Sequence, residues 1–396
     1  MLYADDIVLI ADNETKLQCL LNITNAWCLK WRLLINEEKS QIIHFRPKGA
    51  RRSDFLFNFG TFRLKFVEKY KYLGIILNEY LNYSVITKAL SESAGRALGA
   101  LINKFKKTKN LGYGTYTTLF DACVSPINDY CVGIWGGNCT QSNDVVQNRA
   151  IRFFLGVNKY ASNLAVHGDM GWEFTSVRRK TEMLRMWNRF ISFSDDRLTK
   201  RIFQWDYLLC SHNWCTELKT IFDEVGLSHI FQNQQPVVLS ICRRILHDIE
   251  CNRWLQECAF KPKLRTYVHM KNCYEVEPYI NLDLSRPIRS YVAQLRTGTL
   301  QLRIETGRYQ GLQLEERICV VCGSGEVESE CHFLFHCILY VNLREDLNSK
   351  VILNDPDYLE ADVPKKLKIL MKKKNVKHTG FYIKNAFELR NSRIYV

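Results

Sequence analysis

Apolar and polar positions alternate in several distinct rhythms along this chain. Residues 1–11 are apolar on both sides of an acidic pair, Asp5-Asp6, which predicts a short buried hairpin of strand, turn and strand. Asp12 or Asn13 is placed to cap a following helix, in which Leu17, Leu20, Leu21, Thr24, Trp27, Cys28 and Trp31 recur at three and four. "QIIHF" and "FLFNFGTFRLKFV" then read as strands, the second with Gly60 at a turn, and "YKYLGIIL" (70–77) as a further strand. From about residue 85 the period lengthens. Ile86, Leu90, Ala94, Ala97, Leu101 and Phe105 mark an amphipathic helix that ends in the basic run "KFKKTKN".

Helix periodicity continues to residue 200, with a break at "VSPINDY" and glycines punctuating "GIWGGN". "DVVQNRAIRFFLG" (144–156) predicts a basic amphipathic helix closed by Gly156, and "RRKTEMLRMWNRF" (178–190) another. Residues 200–300 are helix-like without readable chemistry. The pattern is that of an α+β chain, a small hairpin-containing part followed by a mostly helical one.

Composition narrows the partners. The 396 residues are 46% hydrophobic and 24% charged, a globular balance and enough chain for more than one core. Lys plus Arg number 55 against 41 acids, a formal +14, which suits a polyanion such as RNA or DNA. Fifteen cysteines, many scattered singly (Cys19, Cys28, Cys123, Cys210, Cys242, Cys273), read as a reducing compartment. The start lacks the basic region of a signal peptide, and no apolar run reaches the roughly 18 residues of a membrane span. Secretion and membrane insertion are therefore not expected.

Two stretches carry candidate chemistry. In "CVVCGSGEVESECHFLFHC", Cys319, Cys322, His332 and Cys337 form a C-x2-C-x9-H-x4-C pattern with Gly323 behind the first pair, a tetrahedral Zn2+ set. His336 is an alternative to His332, though crowded by Cys337, and Cys331 is crowded by His332. The other is the acidic pair: carboxylates on a tight bend are hard oxygen ligands suited to Mg2+, and two-metal phosphoryl transfer needs acids that converge. Consecutive strand residues face opposite ways, so Asp5 and Asp6 converge only across a turn.

"YADD" followed by "IVLIAD", then "LLINEEKSQIIHF" and "YKYLGI", resembles the palm of reverse transcriptases, specifically those of non-LTR retrotransposons. "LFDACVSPINDYCVGIWG" and "QNRAIRFFLGV" are similar to segments downstream of the palm in these elements. The resemblance implies that Tyr3, Ala4, Asp5 and Asp6 are the polymerase hairpin, with Mg2+ on Asp5 and Asp6 and a small Ala4 near the primer end. It makes Lys39 of "NEEKS" the positive residue near an incoming triphosphate, the alternative being a solvated lysine. Tyr72, Leu73 and Gly74 of "KYLG" resemble the approach to the primer-gripping strand, the alternative being an ordinary sheet edge bent at Gly74. The Cys-Cys-His-Cys segment with its "HFLF" is likewise similar to one that follows the polymerase, either engaging nucleic acid or acting as a structural staple.

That family's palm has a further aspartate on an earlier strand. Asp12 does not replace it, because at roughly 3.3 Å per residue a strand would carry it about 20 Å away. The chain is thus expected to open inside a domain, to lack polymerase activity alone and to retain nucleic-acid binding.

The implied organisation is the end of a palm (1–80), a helical thumb or connection (81–200), a helical region of unknown role able to dock a protein (201–310), a zinc knuckle (311–345) and a basic tail (346–396). The tail contains "KKLKILMKKKNVK", with seven lysines and no acid. The family and the lysine runs suggest the nucleus, otherwise the cytoplasm. The alternative is a domesticated or relic zinc-containing interaction module without nucleic-acid function.

Overall fold

A computed structural model describes residues 2–108, 111–138 and 142–394. The chain divides into two compact units, residues 1–89 and 90–396. Lys109, the last lysine of the basic run 104–109, lies outside the described residues.

In the first unit the acidic pair sits on a hairpin of two-residue strands, Leu2–Tyr3 against Asp6–Ile7, with Tyr3 opposite Asp6. Ala4 takes φ +52°, the left-handed conformation that closes such a tight turn. The hairpin is not buried as its apolar flanks suggest: Leu2 is 67% and Ile10 70% exposed. Asn13 caps the helix Glu14–Lys30, accepting from Lys16 N at 2.9 Å. Only part of its predicted apolar face is covered. Leu21 and Cys28 are buried with Ile42, Phe57, Phe59 and Leu64, whereas Trp27 and Trp31 stay exposed. Gln18 clamps this helix to the next hairpin through both the N–H and the carbonyl of Asn58, at 3.0 and 2.8 Å.

"FLFNFGTFRLKFV" folds as predicted around Gly60, pairing Asn58–Phe59 with Phe62–Arg63, and Gln41–Ile42 runs parallel to Lys65–Phe66. Residues 70–77 are not one strand. They fold back as a hairpin, Lys69–Tyr72 against Ile75–Asn78, because Leu73 and Gly74 both adopt positive φ.

Glu79, 4% exposed, receives Arg46 at 2.9 Å and Arg52 at 2.5 Å. The hydrogen bond from Arg52 holds its carboxyl below the usual value of 4.5, against the opposing effect of burial. A depressed carboxyl stabilises above its unfolded pKa, and the contribution is lost as pH falls through the folded one. Glu79→Gln is therefore expected to shift the unfolding midpoint at neutral pH, and the difference from the parent chain should vanish on acidification.

The second unit is helical. The predicted helix at 85–105 runs Tyr83–Lys107, and its residues Ala94, Leu98, Leu101 and Phe105 enter the main core. Phe105 meets Tyr116 edge to face at 5.6 Å and Phe153 at 5.2 Å. The helix Ser142–Leu155 does end at Gly156, whose φ is +73° and where a Cβ would lie 2.9 Å from Ser290 Cβ. Helix Thr175–Ile191 matches the second basic segment and builds a separate core with Phe203, Phe222 and Leu246.

The aromatics of "QNRAIRFF" do not form a stacking surface. Phe154 is fully buried, Phe153 is half-buried, and Arg286 and Arg289 lie over their rings.

Residues 346–396 are likewise no loose tail. Leu367 and Leu370 of helix Val363–Met371 and Ile383 and Phe387 of helix Val376–Ile394 pack into the main core. Apolar positions hidden among the lysines drive this. No helix among the described residues is long and apolar enough to cross a membrane.

Candidate metal centre

The centre begins with a loop that turns back on itself. Ile318 bridges Val327 antiparallel, and Cys319 N donates to Glu326 O at 2.8 Å. Gly323 and Gly325 take φ +68° and +74°, which reverses the chain between the two arms. Cys319 and Cys322 are thereby aimed at the segment His332–His336, a single turn of π-helix closed by Cys337 N donating to His332 O at 2.8 Å. That wider turn brings residues five apart onto one side, so His332 and Cys337 face the same point.

The ligand atoms of Cys319, Cys322, His332 and Cys337 all lie within 4.8 Å of one another. A tetrahedral zinc site with Zn–S near 2.3 Å has edges of about 3.8 Å, so a small contraction would seat the ion. One edge is already there: Cys322 Sγ is 3.4 Å from His332 Nε2. His336 is turned elsewhere, with Nδ1 4.0 Å from Glu326 and its side chain 56% exposed.

The chemistry of the donors fits zinc as well. Cys322 is lowered to about 7; burial, the largest influence, raises it, but hydrogen bonding with its neighbours, Ser324 first among them, outweighs that. Burial pushes Cys319 up to about 12. A bound cation would displace that proton.

Two carboxylates that spacing rules did not single out support the loop. Glu326 accepts from or pairs with His332 Nδ1 at 2.6 Å. Glu328, 1% exposed, receives Arg303 N at 2.7 Å and both Nη atoms of Arg390. The centre is therefore no free-standing knuckle. Cys319, Cys337 and Phe333 belong to the main core, and Tyr382 OH donates to Phe333 O at 2.8 Å.

The acidic pair is arranged differently. Asp5 and Asp6 are exposed at the hairpin turn, and among the described residues no third acid, histidine or cysteine joins them as a metal group. Asp12 pairs with Lys16 at 2.8 Å. Lys39 is exposed, its N–H donating to Asn36 Oδ1 at 3.0 Å and its carbonyl accepting from Tyr70 OH at 3.0 Å. Tyr72 is half-buried, with Leu73 and Gly74 at the tip of their hairpin.

A separate cavity of about 630 Å3 lies in the helical unit beside His167, which burial lowers to about 4. Its charged walls pair with one another, Arg179 with Asp144 at 3.1 Å and Lys180 with Glu224 at 2.5 Å.

The first unit carries a tight acidic hairpin, and the helical second unit carries a Cys/His centre. Residues 1–77 match the family "Reverse transcriptase (RNA-dependent DNA polymerase)". Over 178 residues the chain is 28% identical to a Drosophila melanogaster protein described as "Probable RNA-directed DNA polymerase from transposon BS", covering 42% of this chain. The chain spans 20% of that relative's length. No solved structure matches. Residues 1–77 thus carry reverse-transcriptase sequence, and the chain is similar to a transposon RNA-directed DNA polymerase.

Proposed function

We propose that this chain is a nucleic-acid-binding segment of a retrotransposon RNA-directed DNA polymerase, braced by a structural zinc centre and not competent to polymerise by itself. In this reading Cys319, Cys322, His332 and Cys337 hold Zn2+, Asp5 and Asp6 contribute Mg2+ ligands only within a larger assembly, and Lys39, Tyr3, Ala4, Tyr72, Leu73 and Gly74 face primer, template or nucleotide there. The division into palm, thumb, helical region, zinc loop and basic end follows the family, as does a nuclear site of action.

The observation that carries the binding reading is the lysine surface near the C-terminus. Lys365, Lys368, Lys373, Lys374 and Lys377 are exposed on elements whose apolar sides are anchored in the core, and among the described residues only Lys372 of this run is in an ion pair, with Asp355. Lysines carried on a core-anchored backbone present several cations together to phosphates, and each contact releases counterions. Replacing Lys373, Lys374 and Lys377 by alanine is expected to lower affinity for duplex DNA and for RNA. The slope of log affinity against log salt should fall by about 0.9 per lost contact on DNA. Affinity that ignores salt between low and moderate concentrations contradicts this mode. Primer extension by the purified chain on an RNA template with Mg2+, abolished by Asp5→Ala, contradicts the inactive assignment.

A second reading, a protein-interaction module, is favoured by helix Leu198–Leu209. Leu198, Ile202, Trp205 and Leu209 form a stripe at helical spacing and are each more than half exposed. Such a stripe fits the apolar groove of a protein partner.

A further inference from the structure

We infer that Glu326 is the positioning residue of the metal centre: its carboxylate fixes His332 in the tautomer that presents Nε2 to the three cysteines. The inference rests on the zinc reading above and concerns what makes that site selective for one imidazole atom.

A neutral imidazole offers one lone pair, and which nitrogen carries it is set by what the other nitrogen bonds. His332 is 3% exposed, so its ring has few partners to choose from. Nδ1 lies 2.6 Å from Glu326 Oε2, while Nε2 lies 3.4 Å from Cys322 Sγ. A carboxylate has only lone pairs to offer, so Nδ1 must bear the hydrogen and Nε2 the free pair. The main chain that carries the ring is also held, since His332 N donates to Ser329 Oγ at 3.1 Å.

Glu326 is itself well placed to do this. Its carbonyl accepts from Cys319 N at 2.8 Å, its own N–H donates to Ser324 Oγ at 3.3 Å, and Gly325 before it turns the chain with φ +74°. One residue thus sets two ligands, Cys319 through its main chain and His332 through its side chain. His336 Nδ1, at 4.0 Å from the same oxygen, is the competitor and is the more distant. The Glu326 side chain is 56% exposed, so removing it leaves no buried hole in the metal-free fold.

The test is competition between the full-length chain and a chromogenic chelator for Zn2+ alone, in the parent, Glu326→Ala, Glu326→Gln and Cys322→Ser. Glu326→Ala is expected to keep one zinc per chain but bind it about 10- to 100-fold more weakly. Glu326→Gln should recover part of the loss, because its amide oxygen still accepts from Nδ1. Both variants should stay folded without metal, and their loss of zinc affinity should exceed any change in the metal-free denaturation midpoint, which a merely structural residue would not give. Long-range 1H–15N imidazole spectra of the zinc-loaded parent should show Nδ1 protonated. Parental affinity in Glu326→Ala, with zinc lost in Cys322→Ser, overturns the positioning role and leaves the zinc reading intact. A parent chain that takes up no zinc overturns both.

Discussion

Asp169→Ala is expected to destabilise the chain by about 3–5 kcal/mol, the usual cost of leaving a buried charge without its partner. Asp169 and Arg296 are both fully buried, joined by two parallel contacts of 2.8 Å, Oδ2 to Nε and Oδ1 to Nη2. Tyr279 OH donates to the same carboxylate at 2.8 Å and Tyr267 OH at 3.2 Å. Arg296 also reaches Glu277 at 3.0 Å, and Glu277 in turn holds Lys271 at 2.7 Å. Removing the aspartate therefore takes the bidentate partner from a buried guanidinium, which keeps only Glu277, and the carboxylate acceptor from Tyr279 OH. Urea unfolding of the full chain reads the loss. The double variant Asp169→Leu with Arg296→Met should be less damaged than the single one, since no charge is left unpaired. A single variant within about 1 kcal/mol of the parent contradicts this account of the core.

None of that network was legible in the sequence, for a plain reason. Asp169 and Arg296 are 127 positions apart, and an aspartate in "HGDMG" looks like any turn residue. What the sequence did reveal is local: the hairpin at the acidic pair, the turn at Gly60, the long helix from residue 85 and the C-x2-C pair. The tertiary outcomes escaped it. Residues 70–77 read as a continuous strand because nothing in Leu73 announces a left-handed conformation. Lysine density concealed Leu367, Leu370, Ile383 and Phe387, which help pack residues 346–394 onto the core. At the candidate site the four soft donors could be found by spacing. Glu326 and Glu328 could not, because a glutamate beside Gly-Ser-Gly reads as loop solubility, and Arg390 joins Glu328 from 62 residues away.

Removing the proposed zinc is the second large perturbation. Cys319 is 2% and Cys337 0% exposed, packed in the same core as Phe333, Tyr340 and Leu347. A metal that binds only the folded state stabilises it by about 4 kcal/mol when present at a thousand times its dissociation constant. Because these ligands belong to the large core, the whole helical transition should shift. A small independent loss of the loop alone is not expected. Chelation with 1,10-phenanthroline is expected to lower the denaturant midpoint of the helical unit by that order, and added zinc should restore it. Cys337→Ser should behave like the chelated chain and not respond to zinc. A midpoint indifferent to chelator contradicts the coupling of metal to core.

The chelation result requires that the Cys/His centre hold zinc. Native mass spectrometry of the purified chain tests that directly. The account predicts one zinc per chain in the parent and none in Cys319→Ser. A parent chain free of zinc, or a Cys319→Ser chain with undiminished zinc, would contradict it.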